Sequence, residues 1–139
     1  KWESTPVVID GVKIANNIME LYPDLIYYDY TAWPYAKRPN ESLPINYHLT
    51  FSRKENNDSQ IADNISHGRN VTVVVDIPSR DKSTAIPITW REIPTFDADR
   101  SDFRPNDPIG RILILRYKSA KASSLADALA SGFVVPAFQ

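Results

Sequence analysis

Eleven prolines, spread from Pro6 to Pro136, against four glycines set the first limit on this chain. Proline fixes φ, removes a backbone donor and stops helices and inner strands. A chain punctuated this often builds short strands joined by structured loops rather than long helices. It has no cysteine, which excludes disulfide scaffolds, thiolate zinc sites, iron–sulfur clusters and cysteine nucleophiles. With 139 residues, 42% hydrophobic and 24% charged, a single β-rich domain over 1–139 can bury a core without covalent staples. The net charge of −1 comes with no long run of either sign. It gives no electrostatic ground for nucleic-acid or acidic-membrane binding. No apolar run approaches the ~20 residues of a membrane span.

Between the punctuation marks, local patterns assign elements. Ile14, Ala15, Ile18, Met19, Leu21 and Tyr22 fall on one helical face, with Pro23 as the stop and Asp10 as a cap. The Asp10-Gly11 pair, flanked by Val7-Val8-Ile9 and Val12, competes for the same residues as a hairpin. The helix is preferred, because its period holds for about three turns. Strands are expected at Leu25–Tyr30 and at Tyr47, Leu49 and Phe51, which alternate with polar residues. Asn70–Ile77 and Ile109–Tyr117 are the clearest strands, and Ala85–Ile93, broken by Pro87, reads as a strand near an edge. A loop covers 53–68, with a helical turn near Gln60–Asn64, and a second helix runs from Lys121 to Ser131, ended by Gly132. Helices do not alternate with strands, so the expected fold is mainly β. It is an antiparallel β-sandwich, jelly-roll-like, with two short helices.

Four sequons, at Asn40, Asn57, Asn64 and Asn70, mark glycosylation sites if the chain is secreted. They pull against the absence of cysteine, since small secreted domains usually carry disulfides. Asp97, Asp99, Asp102 and Asp107 share one loop. Asp97, Asp99 and Asp102 are the residue types that ligate calcium, although the glycine and glutamate of an EF-hand loop are missing. The competing reading pairs these carboxylates with Arg100 and Arg104.

The two histidines, His48 and His67, combine on paper with Ser52 or Ser66 and Asp76 or Asp81 into a hydrolase triad. No nucleophile-elbow motif supports that arrangement. Tyr27, Tyr28, Tyr30, Trp33 and Tyr35 form an aromatic stretch suited to core and interface contacts. Arg111, Arg116, Lys118 and Lys121 make a modest basic patch, too small to argue for nucleic acid.

Three segments together resemble capsid proteins of picorna-like RNA viruses, including those of insects. They are Gly11–Ile14 with the residues that follow, Asn70–Pro78 with its closing apolar-Pro pair, and Asp107–Ile114 with Gly110 before the strand. Ser79 stands where the family often has an aromatic residue. Gln139 is of the type cleaved by viral 3C-like proteases. The resemblance implies a structural, non-enzymatic capsid subunit, or the jelly-roll or protruding portion of a larger capsid protein. Its location would be the virion and its partners copies of itself, other capsid subunits and a host receptor. It also implies that cytoplasmic synthesis leaves the sequons unused. The alternatives from other classes are a secreted, glycosylated β-sandwich binding module and a histidine-dependent hydrolase.

Overall fold

A computed structural model describes residues 1–118 and 122–138. Lys121, part of the basic patch and of the expected second helix, and Gln139 lie outside the described residues. The chain is mainly β, with a six-stranded sheet, a two-stranded antiparallel sheet and a few short helices.

The small sheet comes first. β1 (Val7–Ile9) and β2 (Val12–Ala15) pair antiparallel across Asp10-Gly11. Both turn residues have positive φ, 49° and 77°, the backbone of a type I′ turn for which Asp-Gly is suited. The hairpin therefore takes the residues assigned above to the front of a helix. The helix is reduced to α1 (Ile18–Leu21), capped by the Asn17 side chain, which accepts from the Glu20 N–H at 2.8 Å. A turn closing through two residues already suited to positive φ outcompetes a helix that would need both at negative φ.

The large sheet has the order β3-β4-β5-β8-β7-β6. Its strands are β3 (Tyr27–Thr31), β4 (Tyr47–Ser52), β5 (Val71–Pro78), β6 (Thr89–Trp90), β7 (Ile93–Asp97) and β8 (Ile112–Tyr117). The antiparallel jelly-roll-like expectation is corrected here. The pairs β3–β4, β4–β5, β5–β8 and β7–β8 are all parallel, and only β6–β7 is antiparallel. Parallel neighbours need a crossover of roughly a dozen residues or more. Here the crossovers are irregular. Residues 32–46 carry two 3-10 turns, 53–70 carry a 3-10 turn and α2 (Ile61–Ser66), and 98–111 carry two more turns. None is long enough to show helical periodicity. α3 (Ala122–Ser131) follows β8 and ends at Gly132. The chain then returns so that Val135 bridges Val75.

β5 and β8 lie in the middle and are covered on both faces, so Val71-Thr72-Val73 and Ile112-Leu113-Ile114 are all buried. One face carries the main core of Phe51, Val71, Val73, Val75, Ile112 and Ile114, closed by Ile61, Trp90, Val135 and Ala137. A second cluster sets Met19 of α1 on Tyr47 and Leu49, with Ile18, Tyr27 and Leu43 around it.

Candidate functional site

β3 ends the sheet, and alternation divides its side chains. Tyr27 turns toward the Met19 cluster, and its hydroxyl donates to the Ile18 carbonyl at 3.4 Å. Tyr28 and Tyr30 share the opposite face and are exposed. Tyr28 meets Phe103 edge-on, with centroids 5.2 Å apart at 88°. Trp33 is exposed, with the Lys1 ammonium 5.7 Å from its ring. Tyr35 is buried, stacked on His67 at 4.0 Å and 11°, with the Arg69 guanidinium 4.6 Å from its ring. Of the five aromatic residues singled out, Tyr28, Tyr30 and Trp33 form surface, while Tyr27 and Tyr35 are built into the structure.

Register places His48 beside Tyr28 and Thr50 beside Tyr30 on this same face. The Thr50 hydroxyl lies 3.5 Å from His48 Nε2. Burial, followed by the charges of Arg69 and Arg104, holds His48 below the ordinary imidazole pKa. Arg104 is buried. Its Nη2 donates to the Ala98 carbonyl at 2.9 Å and to that of Ser101, and its Nε lies 3.3 Å from Asp107 Oδ2. Burial raises the Asp107 pKa, against the attraction of Arg104. The same burial effect, leading the charges of Arg104, Asp107 and Asp102, raises Tyr30. The strand face therefore sets His48 and Tyr30 within the field of Arg104, which Asp107 pairs. Sequence reading missed Arg69 altogether, and Arg104 entered only as a partner for the acidic loop. An Arg immediately before a strand carries no periodic signal of its own burial.

The acidic loop does not gather into a cation site. Asp97 and Asp99 both turn onto Arg116 Nη1, at 2.9 and 3.4 Å, and Lys118 Nζ lies 3.5 Å from Asp99. Asp97 also accepts from the Asp99 N–H at 3.1 Å, while Asp102 is exposed. A guanidinium thus occupies the place the calcium expectation reserved for a metal. Among the described residues no group of three carboxylate or histidine side chains is arranged to hold an ion. Pairing inside the loop is confined to Asp107 with Arg104.

The sequons are corrected in part. Asn64 and Asn70 are buried, and their amide nitrogens donate to the carbonyls of Gln60 and Pro108, both at 2.8 Å. A glycan on either nitrogen would require the segment to open. The Asn57 amide donates to the Ser52 carbonyl at 3.1 Å, and the exposed Asn40 accepts from Arg69 at 2.8 Å. Of the acids named for a triad, Asp76 accepts from the Ala137 N–H at 2.9 Å and Asp81 from the Ser83 and Thr84 hydroxyls, both at 2.7 Å, and the carboxylate that reaches His67 is Asp63. Ser66 Oγ and Asp63 Oδ1 both approach the same His67 nitrogen, Nδ1, at 3.4 and 3.3 Å. A relay needs the hydroxyl and the carboxylate on opposite nitrogens.

The model of the family described as gene product 88 matches residues 10–136, nearly the whole chain. No curated protein and no solved structure matches it.

Proposed function

The chain belongs to the gene product 88 family, a viral gene-product family, and we propose that it is a non-enzymatic structural protein of a virus particle, a capsid subunit or a domain displayed on the capsid. The earlier resemblance to picorna-like capsid proteins does not support this reading, because no comparison returns that family and the central sheet is parallel. The observation that carries the proposal is the amino-terminal hairpin. Ile9 and Val12 are cross-strand partners, and Ile14 follows on the same face. Together with Val8 on the other face, all four are exposed, between 44% and 62%. An isolated two-stranded hairpin is marginal in water, and contiguous apolar surface of this kind marks contact with another protein. Copies of the same chain, or other particle subunits, are the partners of this surface. Tyr28 and Tyr30 on the edge strand, and Trp33 after it, are further exposed aromatic side chains.

Lys13 sits on the hairpin and is exposed, so a lysine-reactive cross-linker tests the proposal directly. Cross-links from Lys13 to a second copy, or to another subunit in assembled particles, are expected. Lys13 cross-links confined to its own chain at high protein concentration, and none in particles, would overturn it.

A further inference from the structure

We propose that the cavity between the amino-terminal turn (Trp2–Ser4), α1 and the start of β3 and β4 binds an alkylammonium group, with Asp29 as its counter-charge. The cavity holds about 320 Å³ and is lined by Trp2, Ile18, Met19, Tyr27, Asp29 and Tyr47. That volume lies at the lower end of ligand pockets. Register sets Tyr27 beside Tyr47 and Asp29 beside Leu49, on the sheet face that packs against Met19. Trp2 closes the outer side and is 58% exposed. Aromatic side chains gathered around one carboxylate are the walls that recognise organic cations, and Ile18 and Met19 suit the carbon chain behind the charge.

The carboxylate is open to a ligand. Asp29 is half-buried rather than sealed. Its Oδ1 accepts from the Tyr30 N–H at 2.8 Å, and its Oδ2 lies 3.5 Å from the Tyr47 hydroxyl. The second contact is at the limit of a hydrogen bond. It leaves lone pairs of Oδ2 unused where Asp29 and Tyr47, which meet through that atom, both line the cavity. Among the described residues no lysine, arginine or histidine stands at ion-pair distance from Asp29. The nearby Arg38 is taken by both oxygens of Glu3, at 2.8 and 2.7 Å, so the Asp29 charge is left uncompensated. An anion would meet like charge here, and a metal ion would find a single carboxylate. None of these residues belongs to β1 or β2, so this site and the hairpin contacts stand or fall separately.

The test is an NMR titration of the whole chain at pH 7 and fixed ionic strength, with butylammonium chloride replacing sodium chloride stepwise. The Trp2 indole N–H and the Tyr27 ring resonances are followed. Saturable shifts of both are expected. Butanol, which keeps the shape and removes the charge, should bind the parent at least about tenfold more weakly. Asp29→Asn keeps an acceptor for the Tyr30 N–H, and should weaken butylammonium by about tenfold or more while leaving butanol unchanged. Nα-acetyl-lysine amide distinguishes the sources of the group. Tighter binding of this derivative than of butylammonium assigns the site to a lysine side chain, and weaker binding to a free amine. If butylammonium gives no saturable shift, if butanol binds the parent as well, or if Asp29→Asn responds as strongly as the parent, the proposal is wrong.

Discussion

Glu3 and Arg38 face one another as a two-pronged ion pair, Nε to Oε1 at 2.8 Å and Nη2 to Oε2 at 2.7 Å, with both side chains almost fully buried. The same Nη2 donates to the Tyr47 hydroxyl at 3.1 Å. The pair fastens the amino-terminal turn to the loop after β3 and to β4, across separate parts of the chain. Removing one partner leaves the other charge buried. Glu3→Gln or Arg38→Met should therefore cost about 3–5 kcal/mol in urea unfolding at pH 7. The hydrogen bond from Arg38 leads the effects that hold the Glu3 pKa below its ordinary value. A depressed carboxylate pKa contributes stability above the unfolded value, and that stability is lost as pH falls through the folded one. The penalty of Glu3→Gln should shrink below about pH 4.

The acidic loop gives the second prediction. Asp97 and Asp99 already share Arg116, so millimolar calcium or EDTA should leave Tm unchanged. Arg116→Ala should destabilise by about 3 kcal/mol or more, because two largely buried carboxylates lose their counter-charge. A calcium-dependent rise in the parent Tm would restore a metal site to this loop.

His48 supplies a pH dependence of the same sign at higher pH, with the neutral rather than the charged form favoured by the fold. Its folded pKa is lowered, by burial first and then by Arg69 and Arg104. Below the unfolded value of about 6.5 the unfolded chain takes up a proton that folded His48 refuses. Its neutral form thus favours the fold above that pH, and stability falls as pH drops through 6.5 toward the folded value. Imidazole NMR should give a His48 midpoint under 6.5, and His48→Gln should flatten the stability profile between pH 7 and 5.

Packing predicts a contrast between two nearby positions. Phe51 is 0% exposed at the centre of the main core, whereas Ile45, in the loop before β4, is fully exposed. Phe51→Ala should cost about 3–5 kcal/mol, and Ile45→Ala should stay within about 0.5 kcal/mol. Denaturant midpoints of the two variants check both figures.

The central strands were the most legible part of the sequence. Val71–Val75, broken only by Thr72, and Ile112–Leu115 are apolar runs, and such runs belong to strands buried on both faces of a parallel sheet. The runs read as strands, but the antiparallel direction expected for them rests only on the lack of helices between them. Crossovers built from 3-10 turns have no period to detect, which hid the parallel order. At the amino terminus, Asp10-Gly11 was a valid turn signal set against a longer periodic one, and turn chemistry won. Alternation along β3 puts Tyr28 and Tyr30 on one face and Tyr27 on the other. What sequence could not show was partner choice. Arg116 reaches Asp97 and Asp99 only because β8 lies beside β7. Glu3 reaches Arg38 across 35 residues of chain. The Arg116 pairing follows from strand order, which local pattern does not encode.

The most direct test of the surface-contact account is molar mass by light scattering across a wide concentration range, for the parent and for Val12→Asp. Val12 is 62% exposed on the hairpin, so the substitution should not disturb the core. The account predicts a mass that rises above the monomer with concentration in the parent and stays monomeric in Val12→Asp. A parent that remains a strict monomer at every concentration would contradict it.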